Sequence, residues 1–381
     1  MILFTAVGTC VGFFMGLLLP RSKQIVRHAH KAWHEQQRHY FQSLKYFIDQ
    51  QHDKAAEVLI EFLEVSEDSI DIYLALGELF RKKGEVGRAI RIHQHLLANP
   101  KLFKKKKQDL EFQLAQDYFS AGVLDRAESL FLSILQVRSK DVESLSFLLK
   151  IHEQNKDWLA CIKVAKQLLP NSPEVRLNLA HYFCQRSSLA SSTLESLKLL
   201  KKALSYYPSC PRALLGQAQH YYDQAKYDRS IKVLQSIPIK NQAYNPLVLS
   251  LLYKCHEASD QWQNYASHLK SLLDCGADQF LIIKALCQCF VMRDDIARAL
   301  EFLEDALSKS PSIQVVQYFL ELKSQSDPCR WPSMPFIAQA LNALNHEKTS
   351  YACYSCGYQA QALFWQCPSC KRWESVNLCS H

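Results

Sequence analysis

Four cysteines near the C-terminus have the spacing of a metal site. Cys353, Cys356, Cys367 and Cys370 form the pattern C-x2-C-x10-C-x2-C within the segment CYSCGYQAQALFWQCPSC. Each Cys-x-x-Cys turn places two sulfurs on one side of a tight knuckle, and two knuckles complete a tetrahedral site. We predict one tetrathiolate-bound metal ion, iron or zinc, because both metals fit four sulfurs. Four thiolates leave no position for a substrate, so the predicted site is structural rather than catalytic.

The residues around these cysteines fit a small domain that needs the metal to fold. Gly357 follows the first pair and suits the positive φ that such knuckles often need. Phe364, Trp365 and Trp373 are predicted to supply nearly all of the small core of this tail. Because so short a tail cannot fold by burial alone, a metal is expected to complete it.

Two other interpretations of the cysteine pairs remain open. Two disulfides would suit an oxidising compartment, and a dithiol redox centre would need one pair in a βαβ unit. Of the 14 cysteines, those outside the two pairs are scattered without framework spacing, which is typical of a reducing cytosol. Cys379 and His381 offer spare ligands, although a frayed terminus is the expected state of this end.

The N-terminal end predicts a membrane anchor. Residues 2–19, ILFTAVGTCVGFFMGLLL, carry no charge and are close to the lower limit of about 17–25 residues for a membrane-spanning helix. A cleaved signal peptide fits less well, because no basic residue precedes the run and no small-x-small cleavage site follows it. Basic residues dominate after Pro20, which is expected to keep the rest of the chain cytoplasmic. Gly8, Gly12 and Gly16 recur every four residues, which places them on one helix face that is predicted to contact a partner helix. The alternative is that glycine is simply common in membrane helices.

The middle of the chain is a helical repeat. It has long amphipathic stretches and lacks the alternation of β-branched residues that indicates strands. A small residue followed by apolar residues recurs with a period near 34, a pattern that resembles the tetratricopeptide repeat. These small residues are expected where the two helices of a unit cross, and they are Ala56, Ala89, Ala127, Ala160, Ser196, Ser230, Ala266 and Ala299. Gly84 and Gly122 are predicted to lie in turns between helices.

Stacked helix pairs of this kind form a solenoid whose concave face comes from the first helix of each pair. We predict an all-α tetratricopeptide-repeat solenoid with an N-terminal transmembrane helix and a small C-terminal rubredoxin-like four-cysteine metal-binding domain. The predicted boundaries are 1–20 for the anchor, 21–327 for about eight repeat units, 328–347 for a proline-rich linker and capping helix, and 348–381 for the metal-binding domain.

A protein-binding groove is predicted on the concave face. The candidate groove residues are Phe112, Gln116, Phe119, His181, Gln219 and Tyr222. Helix packing is the alternative for each aromatic side chain. His181 is expected to be a partly exposed structural histidine rather than a ligand or a base.

Composition and motifs argue against an enzyme and against nucleic-acid binding. We recognise no Ser/His/Asp order, no phosphate-binding glycine loop and no His-Glu-x-x-His, so the chain is predicted not to be an enzyme. A net charge of +8 over 381 residues is mild. A nucleic-acid-binding zinc ribbon is disfavoured because the basic stretch KLFKKKKQ offers only Phe103 for base stacking. A redox protein with an iron–tetrathiolate centre is a third alternative.

The combination of anchor, repeats and four-cysteine tail resembles the lipopolysaccharide assembly protein B family of Gram-negative bacteria over essentially the whole chain. The tail is the most specific part, with C-x-x-C-G-aromatic, an aromatic pair ending in Trp365, then C-P-S-C and Trp373. Lys371 follows the second cysteine pair, where true rubredoxins carry glycine, and this departure argues against electron transfer.

The resemblance implies a single-pass protein of the bacterial inner membrane whose C-terminal part is cytoplasmic. Family members restrain lipopolysaccharide synthesis by helping a membrane AAA+ protease degrade the lipid A deacetylase of the committed step. They also contact other lipopolysaccharide assembly proteins, and their four-cysteine tail packs against the repeats. The implied role is a non-enzymatic adaptor that binds a membrane but no nucleic acid, and self-association into a homo-oligomer is compatible with it. A generic tetratricopeptide scaffold for envelope assembly is the alternative.

Overall fold

The computed structural model of the chain describes most of the repeat region and the cysteine-rich tail. The described residues are 38–39, 41–46, 48–49, 51, 54, 57–58, 67–98, 104–169, 172, 174–237, 242–274, 279–293, 295–309, 312–326, 337 and 351–378. The predicted anchor with Gly8, Gly12 and Gly16, nearly all of the predicted linker 328–347, and both Cys379 and His381 lie outside them. Within the described ranges, no helix combines the length and the apolar character that crossing a membrane requires.

The chain divides into two units, Met1–Asn155 and Lys156–His381. In the first unit each described helix packs against the next along the chain. These helices are α1 (Glu67–Lys82), α2 (Val86–Leu97), α3 (Lys104–Ser120), α4 (Leu124–Val137) and α5 (Val142–Gln154). Their packing buries one cluster that includes Tyr73, Phe80, Ile92, Leu96 and Leu110.

The second unit continues the helical pattern and ends in a small sheet. Its described helices are α6 (Trp158–Leu168), α7 (Val175–Ser188), α8 (Thr193–Tyr206), α9 (Pro211–Asp223), α10 (Tyr227–Gln235), the 3-10 helix η1 (Gln242–Tyr244), α11 (Asn245–Ser259), α12 (Trp262–Asp274), α13 (Gln279–Val291), α14 (Ile296–Lys309) and α15 (Ile313–Ser326). Successive helices pack against one another, as expected for stacked helix pairs. The mostly helical repeat fold predicted from the period is therefore confirmed.

The C-terminal tail forms a three-stranded antiparallel sheet. Its strands are β1 (Tyr351–Cys353), β2 (Gln359–Ala360) and β3 (Val376–Leu378), in the order β2-β1-β3. We call residues 351–378 the ribbon.

Capping residues explain where several helices begin. The side chain of Asp141 accepts a hydrogen bond from the Ser144 backbone N–H at the start of α5. Asp157 does the same for α6 and Ser192 for α8, each of them satisfying donors that the first helical turn leaves unpaired. Pro211 opens α9, a position where the missing N–H costs nothing.

The second helix of each pair buries the same position. The fourth residue of these helices is at most 7% exposed, and it is Ala89, Ala127, Cys161, Ser196, Ser230, Tyr265 or Ala299. The prediction that Ala160 and Ala266 lie at the helix crossing is therefore wrong by one position, because both residues are only partly buried. Cys161 and Tyr265 take the buried position instead, which shows that a small side chain is a frequent but not an obligatory occupant.

Several of the turns that connect paired helices share a left-handed residue. Gly84 (φ 83°) and Gly122 (φ 76°) occupy this position in the first unit, as predicted. Their backbone N–H groups, and those of the residues that follow them, donate to carbonyls of the preceding helix and close its C-terminus. In the second unit Ala225 (φ 55°) and Asp260 (φ 52°) adopt the same conformation with the same hydrogen-bond pattern.

A buried polar cluster connects α1, α2 and α3. Arg81 donates to the Asp117 carboxylate at 2.7 Å, and His93 Nδ1 contacts the other Asp117 oxygen. Both His93 and Asp117 are fully buried. The His93 ring lies directly over Gly77, where an added Cβ would come within 2.3 Å of Nε2. Glycine in the Leu-Gly of this repeat unit thus makes room for a buried imidazole.

Candidate metal centre

The four cysteines of the ribbon lie at the corners of a small tetrahedron. Cys353 Sγ is 3.7 Å from Cys370 Sγ, and Cys356 Sγ is 3.7 Å from Cys367 Sγ. All four sulfur atoms lie within 4.8 Å of one another. A tetrahedral ion with metal–sulfur bonds of about 2.3 Å places its sulfurs about 3.8 Å apart. The site therefore fits a tetrathiolate ion better than disulfides, whose bonded sulfurs are about 2.05 Å apart.

Two equivalent knuckles hold these cysteines. In the first, the Gly357 N–H donates to the Cys353 carbonyl at 2.8 Å, and in the second the Lys371 N–H donates to the Cys367 carbonyl at 3.0 Å. Gly357 has φ 74°, as predicted, and Lys371 has φ 58°. Lys371 thus adopts the conformation that glycine would occupy, at a cost of about 1–2 kcal/mol. Its departure from the rubredoxin pattern leaves the knuckle geometry intact.

Hydrogen bonds favour thiolates in the first knuckle. Burial raises the pKa of the Cys353 thiol, but hydrogen bonds from the Ser375 hydroxyl and from backbone N–H groups outweigh it, and the resulting pKa is about 6. The Tyr358 backbone N–H lowers the pKa of Cys356 in the same way. Burial raises the pKa of Cys367 to about 11. Hydrogen bonds thus lower the pKa of both thiols of the first knuckle.

The ribbon core differs from the prediction. Its buried cluster consists of Cys353, Cys367 and Val376, with Tyr351 and Leu363 packed against them. The prediction that Phe364, Trp365 and Trp373 form this core is wrong. Phe364 is 40% exposed. The two tryptophans instead pack against helices of the second unit.

Trp373 is buried against α6 and α7. Its ring stacks on the His181 imidazole with centroids 4.7 Å apart and an interplanar angle of 10°. It also meets Trp158 and Tyr182 edge-on at 6.5 and 6.1 Å. Trp373 is only 3% exposed to solvent. A large aromatic side chain buried in this way is typical of the residues that anchor interfaces.

Trp365 and Glu374 extend this contact. Trp365 stacks on Tyr244 of η1 with centroids 4.9 Å apart, and the Arg212 guanidinium lies 5.8 Å from the centre of its ring. Glu374 Oε1 lies 2.8 Å from His181 Nε2. The ribbon therefore docks on the repeat helices through two aromatic anchors and one polar pair.

Comparison with known proteins agrees with both parts of this architecture. Residues 351–377 match a family described as the rubredoxin metal binding domain, and residues 190–255 match the tetratricopeptide repeat. Lipopolysaccharide assembly protein B of Haemophilus influenzae is 29% identical over 356 residues, which cover 89% of each chain. The protein of the same name from Escherichia coli K12 is 26% identical over 382 residues, covering 98% of this chain and 96% of that protein.

The predicted resemblance to the lipopolysaccharide assembly protein B family is confirmed. Among solved structures, a crystal structure of MamA is 16% identical, covers 52% of this chain and 97% of its own, and has a TM-score of 0.32. A tetratricopeptide repeat protein from Parabacteroides merdae is 15% identical and covers 67% of this chain and 98% of its own, with a TM-score of 0.33. Scores this low carry no conclusion about how the repeats are arranged.

His181 lies in a different environment from the one expected. We predicted a partly exposed groove residue, but its side chain is fully buried beneath Trp373. Burial lowers the pKa of His181, and the hydrogen bond with Glu374 opposes this shift only in part. Residues 179–184 of α7 are all buried, and their apolar sequence LAHYFC was the available signal that this helix is covered on every side.

The other groove candidates lie on two helices, α3 in the first unit and α9 in the second. Phe112 and Phe119 of α3 are half-buried and pack edge-on against Phe147 of α5, at 6.1 and 5.3 Å. Gln116, between them, is half-buried. In α9, Gln219 is exposed and donates to Asp223, and half-buried Tyr222 lies 5.7 Å from Tyr227. Their role in binding a partner stays a prediction.

Proposed function

We propose that this chain is a non-enzymatic, membrane-anchored adaptor that regulates lipopolysaccharide synthesis at the bacterial inner membrane. The observation that carries the proposal is the similarity to proteins named lipopolysaccharide assembly protein B, which spans 89–98% of this chain. That span includes the repeats and the ribbon together. In this proposal the adaptor presents the lipid A deacetylase to a membrane AAA+ protease, and it contacts other lipopolysaccharide assembly proteins.

The ribbon has a structural role in this proposal. Cys353, Cys356, Cys367 and Cys370 would hold one iron or zinc ion, and the ion would supply the folding energy of a domain with a very small core. Four thiolates leave no open coordination position for a substrate. The docked tryptophans would then fix the ribbon on α6, α7 and η1, so that the metal stabilises the repeat surface as well as the ribbon.

The repeats supply the partner-binding surface. We propose that Gln116 and Gln219, together with the half-buried aromatic side chains beside them, contact a partner segment, and that the Gly8, Gly12 and Gly16 face of the anchor contacts a partner helix. His181 is not part of this surface, since the ribbon already covers it.

The half-life of the deacetylase in cells tests the adaptor role. Removing the chain should lengthen that half-life and raise the deacetylase level, and reintroducing the full chain should restore rapid turnover. Cys367→Ser should fail to restore it, because it removes one metal ligand. The matched control is Cys255→Ser, which changes a fully buried cysteine outside the ribbon. An unchanged deacetylase half-life in cells without the chain would leave a generic scaffold of envelope assembly as the better account.

A further inference from the structure

A second group of metal-binding side chains lies beneath the docked ribbon. It consists of His181 on α7, Cys210 immediately before α9, and Glu374 of the ribbon, whose ligand atoms all lie within 4.8 Å of one another. His181 and Cys210 are fully buried, and the Glu374 side chain is 10% exposed. Nitrogen, sulfur and oxygen donors in this combination suit zinc. None of the three belongs to the four-cysteine site.

The polar groups around this cluster are incompletely paired. Among the described residues, His181 Nδ1 and Arg212 Nη1 are buried without a hydrogen-bond partner. Arg212 is half-buried and interacts electrostatically with Cys184 and Cys210, so a fixed positive charge lies near this cluster. The interaction with Cys184 and burial raise the pKa of Cys210, so its thiol is neutral without a metal.

We propose that Cys210, His181 and Glu374 bind a second divalent metal ion, zinc. Zinc lies about 2.0–2.3 Å from such ligands, which sets ligand–ligand distances of about 3.3–3.8 Å. The His181–Glu374 pair, now 2.8 Å apart, would open by about 0.5 Å to admit the ion.

Charge and proton balance support this assignment. Binding releases one proton from the Cys210 thiol to solvent, because zinc takes cysteine as thiolate. One thiolate and one carboxylate balance the charge of a divalent ion, and with the neutral His181 imidazole they give a site of no net charge.

This ion would join the ribbon to the repeats. Glu374 comes from the ribbon, and the other two ligands come from α7 and from the residue before α9. The first metal would fold the ribbon, whereas the second would fix its position. The inference is independent of the proposed adaptor role.

Metal stoichiometry of the purified full chain tests the proposal. The chain is saturated with zinc, freed of loose metal by gel filtration, and assayed by mass spectrometry for zinc per polypeptide. We expect two zinc ions per chain, falling to one in Cys210→Ser and in Glu374→Gln. The control variant Cys255→Ser changes another fully buried cysteine of the same unit and should keep two. One zinc ion in the unmodified chain, or two in Cys210→Ser, would overturn the proposal.

Cobalt substitution separates metal loss from unfolding. The tetrathiolate site of the ribbon gives intense thiolate-to-cobalt absorption, and this band should persist in Glu374→Gln, whose altered side chain lies at the edge of the cluster. A variant that loses one ion yet keeps this band has a folded ribbon and lacks only the second site. If Glu374→Gln and Cys210→Ser both keep the stoichiometry of the unmodified chain, the cluster is a hydrogen-bonded contact and the proposal is wrong.

Discussion

Two tryptophan rings of the ribbon pack against aromatic side chains of the repeat helices. Trp373 lies against His181, Trp158 and Tyr182, and Trp365 lies against Tyr244. Aromatic pairs at these distances add about 0.5–1.5 kcal/mol beyond the area that they bury. A third aromatic residue of the ribbon, Phe364, is 40% exposed and serves as an internal comparison.

Trp373→Ala is expected to undock the ribbon without removing its metal. The free energy of unfolding of the second unit should fall by about 3–5 kcal/mol, as for other large buried aromatic side chains. Phe364→Ala, the matched control, should change it by less than about 0.5 kcal/mol. Denaturant titration followed by circular dichroism measures both, and equal effects of the two variants would contradict the docking contact.

Gly77→Ala should destabilise the first unit by about 1–3 kcal/mol. The new methyl group would lie 2.3 Å from His93 Nε2 and 2.5 Å from Cε1, and the fully buried ring is held by Asp117 and has little room to move. At Gly87 the same substitution meets nothing within 4 Å, so Gly87→Ala should be neutral or stabilise the helix by up to about 1 kcal/mol. Thermal unfolding of the pair is the measurement. A stable Gly77→Ala would show that the imidazole can move aside.

At the residue scale, spacing predicts the metal ligands but not their surroundings. A Cys-x-x-Cys turn has one local geometry, so Cys353 and its three partners can be assigned without knowledge of the rest of the fold. His181 and Glu374 are separated by 193 positions, and nothing local in either segment indicates that they meet. Phe364 and Trp373 are equally apolar, and only the docked surface decides which of them is buried.

At the scale of elements, four of the described helix pairs are joined by the same turn, built from different residues. Gly84 and Gly122 serve this turn in the first unit, and Ala225 and Asp260 serve it in the second. A residue with a Cβ costs about 1–2 kcal/mol in the left-handed conformation, whereas glycine does not. The glycine turns were predictable for this reason, and the alanine turn was not.

Ala225→Gly is expected to stabilise the second unit by about 0.5–1 kcal/mol, which is the relieved strain less the entropy that glycine loses on folding. Ala297→Gly, at an exposed position within α14, should instead destabilise it by about 1 kcal/mol. Urea midpoints of the two variants give the comparison. Destabilisation by both substitutions would mean that the turn at Ala225 is not strained.

The helix pair α11 and α12 should make the second unit sensitive to acid. Burial lowers the pKa of His256 and of His268 from the ordinary value of 6.5. The unfolded chain therefore binds more protons than the folded one below about pH 6.5, so stability falls as the pH drops through that value. The urea midpoint should be lower at about pH 5.5 than at about pH 7.5. His256→Gln should reduce the difference between the urea midpoints at the two pH values. An unchanged difference would show that His256 does not contribute to the acid sensitivity.

The sequence predicts that each second helix exists more reliably than it predicts which of its residues is buried at the helix crossing. The period near 34 predicts a helix pair correctly because every unit must bury one face against its neighbours. The fourth residue of the second helix depends on where that helix begins, and helix starts vary with local caps such as Asp157. Ala160 precedes the buried Cys161, and Ala266 follows the buried Tyr265. In both units the alignment on small residues therefore selected an alanine one position away from the residue that is buried at the helix crossing.

At the scale of the whole molecule, the ribbon belongs to the second unit, Lys156–His381, rather than standing apart as its own domain. Its strand β3 contacts η1, and its tryptophans cover α7. Because of this packing, we expect metal binding in the ribbon to stabilise the repeat helices beneath it. Repeat units gain most of their stability from neighbouring surfaces, and here the ribbon supplies one of those surfaces.

Hydrogen–deuterium exchange of α7 tests the docking of the metal-folded ribbon most directly. In the full chain, peptides within Val175–Ser188 should exchange more slowly with metal bound than after chelation, and Trp373→Ala should exchange fast in both states. Peptides within Val86–Leu97 of the first unit provide the control and should not respond. Equal exchange of α7 with and without metal would contradict the account, because the ribbon would then cover the helix without depending on its metal.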